Sequence, residues 1–161
     1  MWYVIWTSTG SERKAKEALE NKTNRCFYPT RVVNHKYKGE WITEEKPLFP
    51  GYIFADTDDI QRLAKDLWTT EGFTKILDTD KKYYSLYGKD EEFIENLYQE
   101  GGLFDISKGI IEGDKVKVTA GPLVGMEGSI TKINRHKRVA FIELNMFGQT
   151  IKTSVGLEIV E

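Results

Sequence analysis

Asn134-Arg135-His136-Lys137-Arg138 places four potentially cationic side chains in succession, with Lys132 just before them and no acid from Ser129 to Ile142. Such a run cannot be buried, so it predicts an exposed turn. Lys and Arg on that turn can contact phosphates, and an Arg fork can read a guanine edge where a groove is open. A regular A-form RNA helix hides its major groove, so specific reading there needs a bulge, loop or widened stem. A solvated turn without a ligand is the competing reading. Lys115, Lys117 and Lys152 extend the cationic set if their strands turn them the same way.

A second group is apolar. Trp2-Tyr3-Val4-Ile5-Trp6 and Leu48-Phe49-Pro50-Gly51-Tyr52-Ile53-Phe54-Ala55 both read as strands. On adjacent strands, residues of matching parity share a face, so Trp6, Tyr52 and Phe54 form an apolar docking site if no helix covers them. If one does, they are core. Phe73 and Ile76, on the next strand candidate, are expected at the rim of that site.

Enzyme chemistry finds little support. His35 and His136 lie far apart in the sequence, and the single Cys26 offers no metal-ligand spacing and no internal disulfide. Beside Phe27 and Tyr28, Cys26 is expected to be a buried, inert thiol. The turn Gly121-Pro122-Leu123-Val124-Gly125-Met126-Glu127 is not a phosphate loop, because no Lys-Ser or Lys-Thr ends it and a strand follows it. No catalytic residue, metal or cofactor is expected.

These residues need a scaffold, and 161 residues can build one domain or two small ones. Lysine and arginine number 23 against 25 aspartates and glutamates, so nucleic-acid binding must come from a local patch. With no long apolar run and no basic-then-apolar signal pattern, the chain is expected to be cytoplasmic, without a membrane contact. Alternating apolar residues predict a strand over 2–8. Thr9-Gly10-Ser11-Glu12 predicts a capping box opening a helix, and Ala15, Ala18 and Leu19 its buried face. Strands are expected at Cys26–Val33, Glu40–Ile42 and Leu48–Asp56, with the basic tip Asn34–Gly39 between the first two. Ile60, Leu63, Ala64, Leu67 and Trp68 mark an amphipathic helix, and Phe93, Ile94 and Leu97 another over Asp90–Gln99, stopped by Gly101-Gly102.

Beyond this the pattern is entirely β. Strands are expected at Lys115–Val118, Gly128–Ile133, Val139–Leu144, Ile151–Ser154 and Leu157–Val160, in a closed or nearly closed barrel. Its β-branched residues and glycines disfavour a helical alternative. The expected organisation is an α+β domain over 1–100 (antiparallel sheet with helices), a linker over 101–111 and a small all-β barrel over 112–161.

The run Gly113-Asp114-Lys115-Val116-Lys117-Val118 followed by Gly121-Pro122-Leu123-Val124-Gly125-Met126-Glu127-Gly128 resembles the KOW motif of transcription elongation factors and some ribosomal proteins. Together with the Trp2–Trp6 and Leu48–Ala55 signatures, the whole chain resembles the NusG family: an NGN-like domain, a tether and a KOW barrel. The Gly-Pro-Leu-Val-Gly turn and the basic tip before Val139 are most similar to the specialised LoaP-type paralogues. The resemblance implies docking on the clamp helices of the largest subunit of RNA polymerase through Trp6, Tyr52 and Phe54. It also implies binding of a nascent RNA hairpin through the barrel, and processive antitermination by a monomer.

Upstream or non-template DNA is a further candidate partner, through His35–Lys38, Lys46, Arg13, Lys14 and Lys16. The stretch Leu63-Ala64-Lys65-Asp66 lacks the hydroxyl triplet of the RfaH branch, which puts that branch's second polymerase contact in doubt. Two rivals stay open: a housekeeping NusG whose barrel binds a ribosomal protein or Rho, and a ribosome-associated KOW protein, for which a more basic chain is expected.

Overall fold

The computed structural model describes residues 1–69, 74–76, 78–79 and 82–160, with side chains described over 1–67 and 84–160. The chain divides into two units, Met1–Pro29 with Phe49–Gly102, and Thr30–Leu48 with Leu103–Glu161.

In the first unit β1 (Trp2–Thr7), α1 (Glu12–Leu19) and β2 (Arg25–Phe27) come from the early segment. The strands β3 (Thr30–Tyr37) and β4 (Glu40–Pro47) then leave for the second unit. The first unit resumes with β5 (Tyr52–Asp56), α2 (Ile60–Thr69), β6 (Thr74–Ile76), the two-residue strands β7 (Asp78–Thr79) and β8 (Lys82–Tyr83), and α3 (Gly88–Gln99). Its main sheet has the order β2-β5-β1-β6, with antiparallel neighbours.

One face of that sheet buries Ile5, Ile53, Ala55 and Cys26 against Ala15 and Leu19 of α1 and Leu63, Ala64 and Leu67 of α2. The i, i+3, i+4, i+7 spacing of α2 thus does what its period requires. In α1 the buried stripe is narrower than expected, since Ala18 is exposed. Burial pushes the Cys26 thiol up to about 12, against a smaller opposing pull from Lys16. Native protein at pH 8 is therefore expected to resist iodoacetamide for hours and to react fully once unfolded, as read by intact mass. Rapid native labelling would refute the inert-thiol reading.

The opposite face is also covered. Trp2 and Phe27 pack against Tyr98 of α3 at ring-centroid separations of 5.4 Å and 5.2 Å, and Phe49 joins Phe93 of α3 to Phe54. The sheet is a sandwich over most of its length.

The second unit adds β9 (Leu103–Phe104), β10 (Ser107–Glu112), β11 (Lys115–Ala120), β12 (Ile130–Asn134), β13 (Val139–Met146) and β14 (Gln149–Ile159). Its five-stranded sheet has the order β11-β10-β14-β13-β12, and the hairpin β3–β4 pairs with β9 in a second sheet. On β13 the alternation Ala140, Ile142, Leu144 inward and Phe141, Glu143, Asn145 outward sets the core side.

Three expectations change here. The strand expected at Cys26–Val33 is two, Arg25–Phe27 and Thr30–Tyr37, the second taking in most of the expected tip Asn34–Gly39. Ser107–Glu112, which falls in the expected linker but for Glu112, is a strand of the five-stranded sheet, antiparallel to β11 and parallel to β14. The two expected strands at 151–154 and 157–160 are one, Gln149–Ile159. Gly156 does not break it: a Cβ there would sit 2.7 Å from Ile106 and 3.0 Å from the Val32 carbonyl, so the glycine marks a close approach within a strand. The ladder does not join β11 to β12, and the carboxylate of Glu127 instead accepts the Val118 N–H at 3.2 Å.

Candidate functional site

Register pairs Trp6 with Tyr52 and Val4 with Phe54 across β1 and β5, so all four share the face on which α3 lies. Exposure along that face decides their roles. Trp6 is 43% exposed and Tyr52 half-buried, whereas Phe54 is 0% exposed, 5.9 Å from Phe49 and 6.0 Å from Phe27. Phe54 is therefore a core residue and not the docking residue expected, because α3 and Phe49 close over its end of the face. Ile76 occupies a β6 position paired with Ile5, its side chain lying outside the described residues, as does Phe73 altogether.

The accessible pair sits beside two tight loops held by one buried carboxylate. Glu12, 3% exposed, accepts the Gly10 N–H at 2.7 Å and the Gly51 N–H at 3.0 Å. Ser11 makes no side-chain cap, so the expected capping box is absent and Glu12 instead ties the start of α1 to the turn before β5. Gly51 has φ +87°, and a Cβ there would meet the Thr7 carbonyl at 3.1 Å. Only glycine lets this turn close against β1 beside Trp6. Spacing alone does not reveal Glu12's role, since its second acceptor contact comes from the remote residue 51.

The basic run forms the β12–β13 turn. Asn134 accepts the Lys137 N–H on its side-chain oxygen at 3.0 Å, making it a turn former more than a ligand. Arg135, His136, Lys137 and Lys132 are exposed. Arg138 differs from its neighbours: at φ +59° it turns back, half-buried, with its guanidinium 4.3 Å over the ring of Trp41 on β4. Lys152 lies on β14 and pairs with Glu143 at 3.6 Å. Lys115 and Lys117 are exposed on β11, at the other end of the strand order from β12. The structure thus gathers Lys132, Arg135, His136 and Lys137, adds Lys152 one strand beyond β13, and leaves Lys115 and Lys117 apart.

Behind the turn, the glycine loop is fixed by Ser107 and Glu127. The buried Ser107 hydroxyl oxygen accepts the Leu123 N–H at 3.0 Å, and Gly121 has φ +98° with a virtual Cβ 2.6 Å from Ser107. Hydrogen bonds from its own N–H, Val118 and Gly125, with Lys117 nearby, hold the Glu127 carboxyl below its usual range. Four of the other basic candidates have an acid close by, Arg13 with Glu17, Lys16 with Glu20, and His35 and Lys46 with Glu44, while Lys36 and Lys38 lie over the rings of Trp41 and Tyr37.

The structure thus comprises an α+β unit with an exposed aromatic edge and a curled β unit with a basic turn. The family model described as transcription termination factor NusG matches residues 1–101, and the KOW motif model matches 112–144. The chain belongs to the NusG family of transcription factors.

It is 29% identical to the Streptococcus pyogenes transcription termination/antitermination protein NusG over 97% of this chain and 92% of that one. It is 28% identical to the Bacillus subtilis protein of the same name, over 99% and 96%, and 28% identical to that of Thermus thermophilus, over 98% and 94%. A structure described as domain interaction in Thermotoga maritima NusG shares the fold, with a TM-score of 0.52 at 20% identity over 96% of this chain and 92% of that one. Among the described residues no helix is long and apolar enough to cross a membrane.

Proposed function

We propose that this protein is a processive antiterminator of the LoaP kind, which holds RNA polymerase through Trp6 and Tyr52 and a nascent RNA hairpin through the β12–β13 turn. The observation that carries the reading is the turn itself: three exposed potential cations, Arg135, His136 and Lys137, held in a fixed loop by Asn134 with no acid between Ser129 and Ile142. A barrel that meets only proteins does not require such a tip, which favours the RNA reading over the housekeeping one. Polymerase docking draws on the exposed Trp6 beside Tyr52, for which desolvated aromatic anchors are the usual interface chemistry.

The test is a titration of the purified full chain with transcribed leader RNAs from its own genomic neighbourhood. Sequence-dependent hairpin binding is expected, with a salt slope of roughly −2 to −3 if about three phosphates are neutralised. Changing Arg135 and Lys137 together to Ala is expected to cost roughly 1–3 kcal/mol and to blur selectivity. Undiminished affinity and selectivity in that variant would return the turn to a solvated loop.

A further inference from the structure

On the outward side of the second unit, β12, β13 and β14 form a groove of about 530 Å³, lined by Lys132, Phe141, Glu143, Lys152 and Ser154 among others. Phe141 is 41% exposed at its centre. Register sets Lys132 opposite it on β12 and Ser154 opposite it on β14, while Glu143 faces Lys152 two pairs further along, on the same face. Ser154 is itself occupied: its hydroxyl and carbonyl oxygens accept from the Arg31 guanidinium, the hydroxyl at 2.6 Å. One flat aromatic ring on a sheet thus lies between lysines on the two neighbouring strands, with a half-buried arginine bonded to Ser154 at the border.

Charge decides between the possible occupants. Glu143 offsets one cation, but its contact with Lys152 is an exposed 3.6 Å pair, worth little and easily exchanged for a phosphate. Lys132 has no acid within the Ser129–Ile142 stretch, so the groove keeps a net positive character. An apolar peptide would meet charged walls. An unpaired nucleotide meets a ring to stack on and cations for the phosphates either side, the arrangement by which β-sheet modules hold single strands. Phe141 begins three residues after Arg138, so the groove continues from the basic turn along the same strand.

We propose that this groove takes one unstacked base of single-stranded RNA, with the base on Phe141 and its flanking phosphates on Lys132 and Lys152. The inference rests on the RNA reading above and adds to it that the recognised element presents an unpaired nucleotide next to the stem gripped by Arg135 and Lys137.

The test uses the full chain, an RNA hairpin bearing an unpaired loop and the same stem closed as a blunt duplex. Phe141→Leu, which keeps an apolar side chain, and Lys132→Gln, at a fully surface position, are each expected to weaken the looped hairpin about 10-fold. The blunt duplex should be bound alike by wild type and Phe141→Leu. Labelled phenylalanine should show intermolecular contacts from the Phe141 ring to base protons. If Phe141→Leu binds the looped hairpin as tightly as wild type while Arg135→Ala with Lys137→Ala does not, the stacking groove is overturned and the RNA reading stands. If Phe141→Leu leaves RNA binding unchanged but weakens a protein complex, the groove belongs to a protein. If wild type binds neither RNA, both proposals fall.

Discussion

Gly121→Ala is expected to destabilise the second unit by about 3 kcal/mol or more. Two costs add at this position. A φ of +98° is strained for any residue bearing a Cβ, at roughly 1–2 kcal/mol. The new methyl would also lie 2.6 Å from both the Cα and the Oγ of Ser107, and overpacking of this kind costs about 1–3 kcal/mol. Ser107 cannot step aside, because it is buried in β10 and its hydroxyl accepts the Leu123 N–H that shapes the loop.

Gly125→Ala supplies the control. Its φ is +81°, but nothing lies within 4 Å of the added atom, so only the backbone cost of roughly 1–2 kcal/mol remains. Denaturation followed by barrel amide signals separates the two. Equal losses at both glycines would show that the contact with Ser107 is not the cause.

Trp6→Ala and Tyr52→Ala are each expected to weaken binding to the clamp helices of RNA polymerase by about 2 kcal/mol, close to 30-fold, with the fold intact. The expectation rests on the docking proposed above, for which the two rings are direct cross-strand neighbours at the accessible end of a face whose other end is sealed. Phe54→Ala should behave differently. As a core truncation it is expected to cost about 3–5 kcal/mol of stability, so any binding loss would follow from unfolding. Folded Trp6→Ala and Tyr52→Ala proteins that bind clamp helices with unchanged affinity would move the docking site elsewhere.

Much of the scaffold is legible from short-range spacing. The α2 period, the β13 alternation and the glycine turn are local consequences of which side chains recur at which intervals, and each appears where it is expected. Strand limits are less legible where glycine is ambiguous. Gly156 reads as a break in one dimension, and only the nearby Val32 carbonyl and Ile106 show that it is an allowance for close packing. The Ser107–Glu112 strand does carry a local signal, the Gly113-Asp114 turn that folds it back on β11, whereas its parallel pairing with β14, some fifty residues on, leaves none.

The sequence by itself determined the helices, most of the strands, the exposure of Arg135–Lys137 and the aromatic character of the Trp6–Tyr52 edge, because charge and period constrain these within a few residues. Tertiary structure decided which members of each set remain accessible. Alternation names two faces of a strand without saying which one a later helix will cover, and α3 with Phe49 closes over Phe54 while leaving Trp6 in water. Arg138 carries the same charge as Arg135, yet Trp41 from a distant hairpin takes its guanidinium. Burial and pairing depend on what the fold brings from elsewhere in the chain, and that information lies in contacts between distant residues.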